Sequence, residues 1–134
     1  MKVAVAPPVL VHAVVCDDPA QADVAATVST DAGSIAATLP CLCESVWALL
    51  RLYGFRQADA AGAIRAPLAA ANTEVNRPAV EAGLLAFEAD GDFADGVIAC
   101  EGNWLGGETF VSFDRKAGAL LTAQGQAARL LRRT

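Results

Sequence analysis

Glu44, Asp95 and Asp114 are the side chains of this sequence best suited to chemistry, because each carboxylate stands inside or beside an apolar run. Glu44 interrupts residues 40–55, PCLCESVWALLRLYGF, where Ser45 and Arg51 are the only other strongly polar side chains. Asp95 lies in residues 92–100, DFADGVIAC, and Asp114 follows the strand-like TFVSF of residues 109–113. An unpaired carboxylate withdrawn from water costs several kcal/mol, so such groups pair, bind a cation or take up a proton. Together these acids point to a shared cationic ligand. The chain start, VAVAPPVLV, reads as a strand turning into a helix, a place suited to a further acid; Ala6, Pro7 and Pro8 stand there instead.

Each acid also has a purely structural reading. Asp114 can be a helix N-cap, and Asp95 can be the third residue of a helix capped by Asp92, where a carboxylate suits the helix dipole. Glu44 resists this treatment, because its i+3 and i+4 neighbours are Trp47 and Ala48, which offer it no ion pair.

The elements that must position these residues alternate between short strands and helices. Strands are expected over 3–6, 35–39, 74–76, 109–113 and 127–131. Helices are expected from Pro7 to Val15, from Pro19 to Asp31 with Asp17 or Asp18 as cap, and from Pro40 to a stop at Gly54. Further helices are expected over 56–66, broken by Pro67, then 78–89, 92–106 and from Asp114 or Arg115 to Ala123, with a basic tail at Arg132 and Arg133. Strands alternating with helices imply an α/β fold with a parallel sheet covered on both faces. In such sheets the working site lies beyond the carboxyl ends of the strands, where Ala6 and Asp114 fall.

A chain of 134 residues fits one domain, and 54% hydrophobic residues supply a substantial core. The net charge of −5 argues against a broad basic face for double-stranded nucleic acid, though not against an acidic metal pocket flanked by a few arginines. Arg51, Arg56 and Arg115 are the candidate phosphate contacts, with solvated surface as the alternative. The apolar start is split by two prolines and lacks a small-x-small cleavage site, so it reads as part of the fold rather than a signal peptide. No stretch has the roughly 18 apolar residues of a membrane span, so a cytoplasmic protein is expected. Cys16, Cys41, Cys43 and Cys100 read as small buried thiols, because Cys41 and Cys43 are too close for the usual zinc pair and His12 is the only histidine.

Taken in order, LPCLCESVWALLRLYGF, LLAFEADGDFADGVIAC and TFVSFDRKAGALL closely resemble PIN-domain proteins, in particular the VapC-type toxins of bacterial type II toxin–antitoxin pairs. The resemblance runs over nearly the whole chain. It implies a single PIN-like domain over residues 1–134, a three-layer α/β/α fold whose central, mostly parallel sheet has about four to five short strands. It implies a metal-dependent endoribonuclease in which clustered acids hold Mg²⁺ or Mn²⁺ and water hydrolyses an RNA phosphodiester to 5′-phosphate and 3′-hydroxyl ends. Carried over by position, the catalytic and metal-binding acids are Glu44, Asp95 and Asp114, with Ser112 and Asp92 in support. Ala6 replaces the acid that ends the first strand in the family, which impairs the expected activity. The partners implied are an RNA substrate, a cognate VapB-type antitoxin and a second copy of the chain, with no membrane. The alternative is a catalytically inactive PIN-fold module that binds an antitoxin or RNA. Exposed apolar surface on the first helices would serve the antitoxin and the homodimer.

Overall fold

Proline opens four of the helices, at the first helical position in α1 (Pro7–Val15) and α2 (Pro19–Asp31) and at the second in α3 (Leu39–Arg51) and α5 (Arg77–Glu88). Its fixed φ suits a helix start, and its missing N–H lies among donors that have no intrahelical partner there. The remaining elements of the computed structural model are β1 (Lys2–Ala4), β2 (Ser34–Ala36), α4 (Gln57–Leu68), β3 (Thr73–Glu74), α6 (Phe93–Trp104), β4 (Phe110–Ser112), α7 (Arg115–Ala123) and β5 (Ala128–Leu130). The structure describes residues 1–15 and 18–132. Cys16 as a buried thiol, Asp17 as a cap and Arg133 of the basic tail therefore lie outside the described residues.

The chain is mixed α/β, and every strand pairing among the described residues is parallel. The strands form two small sheets, of order β1-β2-β3 and β4-β5. By packing, the chain divides into two compact units, Met1–Asn76 and Arg77–Thr134.

In the first unit, β2 is central, with Val3 opposite Ile35 on one side and Ile35 opposite Thr73 on the other. The buried stripe of α3 is Cys41, Leu42, Ser45, Val46 and Leu49, a helical spacing that turns one face inward. Leu42 and Leu49 are fully buried, and each contributes roughly 2 kcal/mol. Ser45 is tolerated in this stripe because its Oγ donates to the Cys41 carbonyl at 2.7 Å. Asn72 Nδ2 donates to the Ser29 and Ala32 carbonyls at 3.1 and 3.2 Å, which ties the end of α2 to the loop before β3.

Several expected boundaries move: β1 and β2 are shorter than expected, and α3 ends at Arg51 rather than at Gly54. Helix α3 starts at Leu39 rather than Pro40, because Thr38 accepts the Cys41 N–H at 3.3 Å and acts as its cap. Pro67 does not break α4, which runs to Leu68. Pro67 falls in the last turn, and the Ala69 N–H closes that end on the Arg65 and Ala66 carbonyls, both at 3.2 Å.

In the second unit, α5 and α6 approach so closely that only glycine fits. A Cβ on Gly96 would lie 2.5 Å from the Ala82 carbonyl oxygen and 2.8 Å from Gly83 Cα. Phe87 and Phe93 meet edge to face at 6.4 Å, and Leu84, Val97 and Leu121 complete the core of this unit. In the β4–β5 pair, Phe110, Val111 and Ser112 lie opposite Ala128, Arg129 and Leu130.

Candidate functional site

The acids of the second unit sit at two helix starts. Asp92 caps α6 with extended backbone, and its Oδ1 accepts the Asp95 N–H at 3.1 Å. That bond places Asp95 at the third position of α6, half-buried. Asp114 caps α7, its Oδ1 accepting the N–H groups of Lys116 at 2.9 Å and Ala117 at 3.2 Å. Its own N–H donates to Ser112 Oγ at 2.9 Å, so the end of β4 fixes the residue that starts α7. Both structural readings of Asp92 and Asp114 as caps therefore hold.

Asp92 and Asp114 also act on Asp95. Burial pushes the Asp95 carboxyl above its ordinary pKa, and the charges of Asp92 and Asp114 push it the same way. These effects outweigh the helix N-terminus, which favours the charged form. The side-chain oxygens of Asp95 and the Oδ2 of Asp114 accept no hydrogen bond from the described residues. Free carboxylate oxygens of this kind are the donor type that Mg²⁺ and Mn²⁺ prefer, and one or two carboxylates suffice for Mg²⁺. Among the described residues, no group of three or more His, Cys, Asp or Glu side chains closes into a ready-made metal cage.

Glu44 belongs to the first unit and is exposed, which corrects the inference that its surroundings bury it. The apolar letters around it belong to the opposite face of α3. It is the sixth residue of that helix rather than one of the first turn. Trp47 and Arg51 share its outward face and are also exposed. Asp114 is likewise exposed, so of the three acids only Asp95 is partly withdrawn from water.

Ala6 lies two residues beyond β1 and is exposed, not buried at a strand end. Its carbonyl accepts the Val9 N–H at 3.0 Å, so its backbone serves the start of α1. Arg51 is in the last turn of α3, Arg56 is the residue before α4 and makes no side-chain cap, and Arg115 is the first residue of α7. All three are exposed, and none of their side chains has a hydrogen bond or ion pair with the described residues.

No protein-family model matches this chain, and no curated protein does.

Two features were missed in the sequence. Lys116 pairs with Asp90 at 3.2 Å, between exposed side chains, a contact across 26 positions with no local signal. The exposure of Trp47 was readable from its spacing of three from Glu44 and four from Arg51, which puts the three residues on one helix face. Cys41, Cys43 and Cys100 are in no disulfide, and only Cys41 is buried, which corrects the reading of all as buried thiols. Burial pushes the Cys41 thiol up, as expected of an inert core cysteine. No described helix is long and apolar enough to cross a membrane.

Proposed function

We propose that this chain is the toxin component of a type II toxin–antitoxin pair, a VapC-type PIN-like domain of three α/β/α layers that hydrolyses RNA phosphodiester bonds with Mg²⁺ or Mn²⁺. The observation that carries the reading is the pair of carboxylates at two helix starts, Asp95 in the first turn of α6 and Asp114 at the cap of α7, with the charge of Asp114 felt at Asp95 and oxygens on both left without a hydrogen bond from the described residues. The ordered motifs and the parallel strands support it.

Asp95 and Asp114, both of the second unit, are the carboxylates we assign to the metal. A bound divalent cation would neutralise charge on the scissile phosphate and acidify an attacking water. Asp114 is held for this task by its cap and by Ser112, which leave Oδ2 available. Asp95 must be ionised to act as a donor. Its raised pKa means that proton release and cation binding are coupled, so affinity rises with pH.

Ala6 withholds the remaining acid, and the activity of this chain is accordingly weak or absent. Restoring it by Ala6→Asp should raise cleavage of single-stranded RNA in Mg²⁺ or Mn²⁺ at least about a hundredfold, as loss of a direct ligand costs several kcal/mol. Equal cleavage by both forms would refute this account of Ala6, and no cleavage by either would refute the nuclease reading.

The second reading is an inactive PIN-fold module that binds an antitoxin or RNA. Ala6 favours it, and so does an apolar groove of about 350 Å³ between α1 and α2, lined by Pro8, Val9, Val24 and Val28, where Val24 is 65% exposed. The same groove suits a VapB-type antitoxin or a second copy of the chain under either reading. Mn²⁺ binding that depends on Asp95 separates the two.

A further inference from the structure

We infer that the outward face of α3 is a track for single-stranded RNA on which Trp47 stacks an unpaired base and Arg51 holds a phosphate, with Arg56, beyond the turn that ends α3, as a second phosphate contact. The inference rests on the nuclease reading for its choice of RNA and deepens it. Its evidence lies in the first unit alone.

Glu44, Trp47 and Arg51 are spaced by three and four residues, so they form one row along the helix. The inward face of α3 is fully used by its buried stripe, and the row lies on the opposite side. Trp47 is 57% exposed, an unusual place for the largest apolar side chain, and its broad ring is open to solvent. Exposed aromatic rings beside cations are the means by which proteins hold single strands, because every base offers a stacking face.

Charge selects the occupant. The chain carries a net charge of −5, yet Arg51 and Arg56 are exposed and have no carboxylate partner among the described residues. Cations left unpaired in an acidic chain complement an anionic backbone. A second copy of this chain would bring its own negative charge to the same face. A duplex would keep its bases stacked away from Trp47, whereas a single strand presents them.

The test is binding of a fluorescein-labelled single-stranded oligouridylate to the full chain, by anisotropy at low salt in EDTA, so that no cleavage or metal contributes. Trp47→Ala should weaken binding about tenfold or more, as for loss of one stacked base. Trp47→Phe should retain most of the affinity, and Trp104→Ala should change nothing. Arg51→Ala and Arg56→Ala should each weaken binding and reduce the salt slope by about 0.7. No binding by the parent chain, or Trp47→Ala binding as well as the parent, would overturn the inference. So would Trp47→Ala converting a dimer to a monomer with RNA affinity intact, because the face would then be a protein interface. If Trp47-dependent binding is found but Ala6→Asp cleaves nothing, the track stands and the nuclease reading fails. If Ala6→Asp cleaves and neither binding nor cleavage responds to Trp47, the nuclease reading stands and the track fails.

Discussion

Ser112 holds Asp114 by the backbone: its Oγ accepts the Asp114 N–H at 2.9 Å, while the Asp114 side chain turns forward to cap α7. Strand end and helix start are thus joined through one short hydrogen-bonded step. Ser112→Ala removes the acceptor but leaves the N–H access to water, so the expected loss is about 0.5–1 kcal/mol in chemical denaturation. A loss of several kcal/mol would mean that Ser112 supports more than this one bond.

Asp114 has a cap role and, on the nuclease reading, a ligand role, and two substitutions separate them. Asp114→Asn keeps a good cap and should leave stability within a few tenths of a kcal/mol, whereas Asp114→Ala should cost about 1 kcal/mol. Mn²⁺ binding, followed by calorimetry or electron paramagnetic resonance, should weaken in both. Unchanged Mn²⁺ affinity in Asp114→Asn would reduce Asp114 to a cap.

Asp95 sets a pH dependence whose direction follows from its raised pKa. The folded state holds that proton more tightly than the unfolded chain does. Stability in EDTA is therefore favoured at low pH and lost as pH rises from the unfolded carboxylate value through the higher folded one. Asp95→Asn should raise Tm near neutral pH without metal and remove this part of the slope. A lower Tm for Asp95→Asn across the range would mean that the charged carboxylate is stabilising after all.

Gly96 and Gly62 make opposite predictions for the same substitution. Gly96→Ala drives a methyl against the α5 backbone and should cost about 1–3 kcal/mol. Gly62→Ala lies in α4, where an added Cβ meets nothing within 4 Å, and it should be neutral or stabilising by about 0.5–1 kcal/mol. Thermal melts of the two variants decide this, and similar melting temperatures would contradict the close approach of α5 and α6.

Much of the local structure was legible because its signals are short-range. Pro7 and Pro19 mark helix starts, Asp92 and Asp114 mark caps, and the β-branched and aromatic run before Asp114 marks β4. The environment of Glu44 was not legible. A linear string places Cys43, Ser45 and Val46 beside it, but the helix turns Glu44 away from the buried side chains that surround it in sequence. Pro67 misled for a related reason, since a helix-breaking residue is cheap in a last turn whose carbonyls have other donors. The influence of Asp114 on Asp95 depends on how the chain returns after α6, and no pattern of spacing encodes that approach.

The exposed methyl of Ala6 bears on heredity as well as on chemistry. This position lends only its carbonyl to the start of α1, and nothing in the fold resists a larger polar group there. An alanine codon that ends in a pyrimidine becomes an aspartate codon by exchange of its middle base, and one that ends in a purine becomes a glutamate codon. On the nuclease reading, a single base change is then enough to return an acidic side chain to a harmless chain, and selection in growing cells would act on that one letter.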